Sequence, residues 1–174
     1  MTEHIPYTVV KKLDNVEIRH YPQVIFAVTN NDENDSGFTL LFRYISGSNQ
    51  SAKKISMTAP VITSEKIQMT APVITRPHIM AFPLPSSFTT ETVPQPTDPA
   101  VRIEVQPATT MAVLRFSGRA TDVKVKKQIQ NLVTKIQHYH GVIKGEPMLM
   151  RYNSPFTPGF LRHNEVAVEL EKAL

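Results

Sequence analysis

An internal repeat narrows the folds open to this chain more than any other feature. KISMTAPVIT at residues 54–63 recurs as KIQMTAPVIT at residues 66–75, with only Ser56 and Gln68 differing. Two short copies do not make a solenoid, whose units run to roughly 20 residues or more and stack several deep. A duplicated strand fits better. Apolar side chains alternate in each copy, Ile55-Met57-Ala59-Val61 and Ile67-Met69-Ala71-Val73, which is the period of a strand with one buried face. Pro60 and Pro72 donate no ladder hydrogen bond, so each copy is expected to carry a bulge or to lie at an edge. A two-residue connection through Ser64-Glu65 would set Met57 opposite Pro72. A turn longer by one residue aligns the two apolar faces and is the one expected, because a single slip turns every side chain to the other face.

The rest of the chain alternates strand and helix signals. Residues 7–30 are rich in β-branched and aromatic side chains and are broken by Asp14-Asn15 and Pro22, so three short strands are expected. In the middle one Val16, Ile18 and His20 share one parity and Glu17 and Arg19 the other, which puts His20 on the apolar face. After a polar loop, Asp35 or Ser36 caps a short helix with Phe38, Leu41, Phe42 and Ile45 on its apolar side and Gly47 as its stop. A strand over 78–84 precedes a proline-rich surface loop over 83–99, with a single helical turn expected over 86–91. Strands over 101–105 and 111–116 lead to the long helix, where Val125, Ile129, Leu132, Val133 and Ile136 form a helical stripe. Thr121 or Asp122 can cap its start and Gly141 its end. Strands over 146–152 and 165–170 complete the chain. This order predicts an α+β fold: two βαββ-type halves related by a pseudo-twofold axis, one antiparallel sheet curling into a distorted barrel, and two helices.

The chain has 174 residues, 41% apolar and 20% charged, which suits a single domain over 1–174 with a core of its own. It contains no cysteine, which removes disulfides, thiolate metal sites and thiol nucleophiles. The N-terminal Met1-Thr2-Glu3-His4-Ile5-Pro6 lacks the order of a secretory signal, and no stretch approaches the roughly 18 to 20 apolar residues of a spanning helix. A cytoplasmic monomer without a membrane partner is therefore expected. The net charge of +4 forms no basic stripe interleaved with aromatics, which argues against nucleic acid. Zinc-protease, phosphate-loop, nucleophile-elbow and paired-carboxylate motifs are all missing from the sequence, so a binding protein rather than an enzyme is expected.

The repeated MTAPV segments, EIRHYP at 17–22, LFRYISGSN at 41–49 and GEPMLMRYNSPFTPGFLRHNEVAVEL at 145–170 together resemble the SOUL heme-binding family. The match runs over nearly the whole chain. It implies the same pseudo-twofold α+β fold and a heme or porphyrin ligand. Two departures fall in the last segment: His163 stands where relatives commonly carry a second arginine, and Phe156 and Gly159 where tryptophans are frequent.

A heme site needs an apolar groove, cations at its rim, and optionally an imidazole or thioether on the iron. His20 occupies the position at which some animal members have a proposed axial histidine, and a strand-end histidine bonded to a carbonyl is the plainer alternative. Met57 and Met69 hold matching places in the repeat and carry thioethers, although core packing is the ordinary use of methionine. Arg43, Lys53 and Lys54 are candidate partners for the propionates, against a solvated surface. His138 and His140 lie two apart and cannot chelate one ion from a continuing helix; a C-terminal helical turn explains them through the helix dipole. Two other functions stay open. One is a module for other amphipathic small molecules, since a doubled βαββ architecture also serves multidrug-effector domains, and the other is an interaction protein working through a surface helix or the 83–99 loop.

Overall fold

The computed structural model describes residues 3–30, 36–51, 66–67, 70–153, 156–172 and 174. In chain order the elements are β1 (Glu3–His4), β2 (Thr8–Leu13), β3 (Val16–Tyr21), β4 (Val24–Asn30), α1 (Ser36–Ser46), β5 (Asn49–Gln50), β6 (Thr70–Ala71), β7 (Val73–Arg76), β8 (Ile79–Pro83), β9 (Gln95–Pro96), β10 (Val101–Gln106), β11 (Thr109–Ser117), α2 (Asp122–His138), β12 (Ile143–Arg151), a 3₁₀ turn (Gly159–Leu161) and β13 (His163–Leu170). The three strands expected before residue 30 are β2, β3 and β4. The first repeat copy lies outside the described residues. The second forms β6 and β7, separated by a cis Ala71–Pro72 bond, so the proline interrupts the ladder as its missing N–H requires. The register expected between the two copies also falls outside the described residues. Over 86–91 the chain makes hydrogen-bonded turns, Phe88 N–H to Pro85 O at 3.1 Å and Thr92 N–H to Thr89 O at 3.2 Å, and the one-turn helical bond falls slightly later, from Val93 N–H to Thr89 O at 2.9 Å.

Nine strands form one antiparallel sheet in the order β10-β4-β8-β7-β12-β13-β11-β3-β2. The sheet is open, which corrects the expected barrel. Closure would require β2 and β10 to pair, and both edges are already blunted. The β2 ladder shifts register between Val9 and Lys11, with Lys11 and Lys12 exposed beside it, and β10 carries an exposed Arg102–Glu104 pair. Charge and irregularity at an edge protect it without closure.

Both helices cover the same face. From α1, Leu41, Tyr44 and Ile45 pack with Ile25, Ala27, Met80, Phe82 and Val101. Phe42, expected on the apolar side, is half exposed, and Tyr44 takes the core place, with its hydroxyl donating to Pro94 O at 2.7 Å. From α2, Leu132 and Ile136 are fully buried against Val16, Ile18, Leu114, Val166 and Val168, each contributing roughly 1.5–3 kcal/mol of burial. Thr121 caps this helix by accepting from Lys124 N–H. At its other end the left-handed residue is His140 (φ 59°) rather than Gly141. Gly141 is needed for close approach instead, since a Cβ there would meet Ile136 Cγ2 at 2.6 Å.

Candidate functional site

Among the described residues no helix lies over the opposite face of the sheet. Register pairs place Val28 beside Ala81, Ala81 beside Ile74, Ile74 beside Met150 and Met150 beside Glu165, and paired residues share a face. A second row runs from Met148 to Ala167 to Val113. With Phe26, Tyr21, Met111 and Ile5 these side chains form a buried cluster to which neither helix contributes. This face holds a pocket of about 370 Å³, within the roughly 300–1,000 Å³ range of small-molecule sites. Phe26, Val28, Ile74 and Ala81 supply its apolar wall; Arg76, Lys144, Glu104 and Glu169 supply charge. Phe26, Ile74 and Gln106 also line an adjoining recess that reaches Met111, Met148 and Met150.

The same face of the sheet holds a buried ionic network. Arg19, 4% exposed, and Glu165, 2% exposed, form a two-bond pair at 2.8 and 2.9 Å, with the guanidinium reaching across the intervening β11. Arg19 also donates to Glu17 at 2.8 Å and to the Tyr21 hydroxyl at 3.2 Å, and its guanidinium lies 4.1 Å from the Tyr7 ring centre. Tyr152 donates to Glu165 at 2.6 Å. The His163 Nε2 is 3.1 Å from the same carboxylate, and its ring stacks on Tyr152 with centroids 4.4 Å apart. Burial by itself pushes the Glu165 carboxyl up, but hydrogen bonds from His163, Arg19 and Tyr152 together with the Arg19 charge outweigh it and hold the group at about 2. Burial pushes the Tyr21 hydroxyl up to about 12 and that of Tyr152 upward as well.

The candidates from the sequence do not meet at this pocket. His20 is exposed, on the opposite face from Arg19 and Tyr21, with Nδ1 3.4 Å from Thr110 Oγ1. Its parity with Val16 and Ile18 is as expected, but it stands at the strand end, outside the core cluster that those two residues join. Arg43 is exposed in the last turn of α1 and lines a separate recess with Tyr44, Ser48 and Asp98. Lys53, Lys54, Met57 and Met69 lie outside the described residues. His138 meets Tyr139 edge to face, and among the described residues no group of three or more His, Asp or Glu could hold a metal ion.

Arg19 and Glu165 escape a reading of the sequence because a charged residue on an alternating strand reads as solvent-facing. Their one signal is that Glu17, Arg19 and Tyr21 share a parity, as do Glu165, Ala167 and Glu169. The site meets a porphyrin's needs in part: an apolar wall, two cations at the rim for carboxylates set against Glu104 and Glu169 at the same rim, and thioethers of Met111, Met148 and Met150 in the adjoining recess.

A family model described as SOUL heme-binding protein matches residues 2–169. No curated protein sequence matches the chain. Among solved structures the chain is similar to the crystal structure of the EcmrR C-terminal domain, with TM-score 0.60 and 9% identity over 96% of this chain and 99% of that one. It is also similar to a hydrolase from Listeria innocua, with TM-score 0.57 and 8% identity over 93% and 94%. The cryo-EM EcmrR-DNA complex matches with TM-score 0.56 and 8% identity, over 91% of this chain and 57% of that one. At such identities the likeness is one of fold alone.

Proposed function

Because the chain belongs to the SOUL heme-binding protein family, we propose that it binds heme or another porphyrin in the helix-free groove, as a carrier or buffer and not as an enzyme. The family match over nearly the whole chain carries this reading, and the composition of the groove supports it. The apolar ring would lie against Phe26, Val28, Ile74 and Ala81, and the propionates would meet Arg76 and Lys144. Lys144 already has Glu169 at 3.5 Å, which leaves Arg76 as the stronger rim partner. Bound heme would supply a redox-active, coloured iron; these residues supply exclusion of water and charge balance. His20 belongs to the proposal as an alternative iron ligand acting from the other face, which a heme in the groove cannot reach. Met57, Met69, Lys53, Lys54 and Arg43 are the further candidates for thioether ligation and propionate pairing. The sequences of elements β4-α1-β7-β8 and β11-α2-β12-β13 are read as pseudo-twofold halves with the groove between them.

The test is a hemin titration followed by Soret absorbance. Saturable binding at one equivalent is expected, weakened about tenfold by Arg76→Glu, with His20→Ala leaving the spectrum unchanged. A spectrum altered by His20→Ala moves the site off the groove, and an absence of saturable binding sinks the tetrapyrrole reading. Glu104 and Glu169 at the same rim favour one second reading, the binding of other amphipathic molecules that carry positive charge. A lipophilic cationic dye that binds in competition with hemin would support it.

A further inference from the structure

On the helix-covered face, near the start of α2, a recess of about 420 Å³ is lined by Arg119, Arg151 and Arg162 together with Ala120, Thr121, Asn153 and Asn164. Among the described residues no carboxylate lines it; the nearest in sequence to Thr121 is Asp122, in the first turn of α2. Beside it the chain presents large apolar side chains to solvent: Phe156 is 95% exposed, Phe160 79% and Leu161 61%, and Val123, two residues after Thr121, is 80% exposed. This tip is held in place. The 3₁₀ turn closes through Leu161 N–H to Pro158 O at 3.0 Å and Arg162 N–H to Gly159 O at 3.2 Å. Arg162 Nε donates to Thr157 O at 2.9 Å, and Arg119 lies so close to Gly159 that a Cβ there would come within 2.9 Å of its Cγ.

We propose that this apolar tip and its arginine recess dock the protein peripherally on a bilayer surface that carries anionic phospholipid. The recess is complementary in charge to phosphate and carboxylate headgroups, which arginine binds well. A free anion would leave the apolar side chains in water, whereas a membrane interface offers anionic groups and an acyl boundary within the same few ångströms. No helix among the described residues can cross a membrane, and a peripheral contact needs none. The recess lies on the face opposite the groove, so the two sites can be tested apart.

The experiment is cosedimentation of the full chain with vesicles of phosphatidylcholine alone or mixed with phosphatidylserine. Binding to the mixed vesicles alone is expected, and it should weaken as salt rises. Arg119→Ala should weaken binding about fivefold, the effect of one cation at an anionic surface. Phe156→Ser with Phe160→Ser should weaken it at least as much, while Val10→Ser, an exposed apolar residue on β2, should leave it unchanged. Circular dichroism verifies that each variant folds. No sedimentation, equal binding to phosphatidylcholine alone, or variants that bind like the parent would overturn the proposal. Binding of inorganic phosphate without vesicle binding would overturn it in favour of a small-anion site.

Discussion

On the face covered by α2, the buried residues of β3, β11 and β13 are Val16, Ile18, Ala112, Leu114, Phe116, Val166, Val168 and Leu170, with one polar addition among the described residues, Asn164, which donates to Gly118 O at 2.8 Å. One step along the same strands, on the uncovered face, Arg19 and Glu165 are buried as deeply beside Val113 and Ala167. The two faces share backbones and differ in what lies over them. A helix brings its own apolar surface, so aliphatic packing suffices beneath it. Where no described helix lies, a paired ionic network is buried in the face, methionines pack beside it, and a pocket remains. The presence of such a pair is weak evidence for net stability, since desolvation offsets much of its Coulombic gain.

That comparison breaks most sharply at Glu165. Glu165→Leu leaves Arg19 buried without its main counter-charge and should cost about 3–5 kcal/mol by urea denaturation. Arg19→Met with Glu165→Leu should recover most of that loss; a double variant as unstable as the single one would show that the network, not the orphaned charge, carries the stability. On the covered face Leu132→Ala should cost about 3 kcal/mol, through lost burial and a cavity, with hemin affinity unchanged.

Acid should separate the faces more gently. Glu165 sits at about 2 in the folded protein against an ordinary value of 4.5. Its folded form is the charged one, so its stabilisation is complete above about 4.5 and drains away as pH falls toward about 2. The parent should therefore lose urea resistance across that window more steeply than the Arg19→Met, Glu165→Leu variant, and parallel curves would show that Glu165 is not the group responsible. The smallest stability effect belongs to the rim. Arg76→Glu should change stability by less than about 0.5 kcal/mol, and its effect should appear in ligand affinity alone.

Much of the fold was legible because period and punctuation are local. Asp14-Asn15 and Pro22 divide three strands at their observed ends, and the Leu132–Ile136 stripe marks the core side of α2. Tyr44, rather than the expected Phe42, fills the core place on α1, because a tyrosine's buried role depends on a distant acceptor, here Pro94 O. Gly141 was assigned the left-handed position that His140 takes, since the contact that requires a glycine comes from Ile136 packing back on the turn. The candidate site was less legible. The parity of Glu17, Arg19 and Tyr21 is plain in the sequence, but whether that face is wet or buried depends on strands β11 (Thr109–Ser117) and β13 (His163–Leu170), which arrive far later in the chain.

The sequence by itself determined the three strands before residue 30, the position of both helices, the apolar stripe of α2 and the family, because these rest on side-chain period and on motif residues in fixed order. Only the tertiary structure decided that the sheet stays open, that His20 faces solvent away from the groove, and that Arg19 meets Glu165. Each of those depends on which strands become neighbours. A pairing between residues 146 positions apart leaves no periodic trace along the chain.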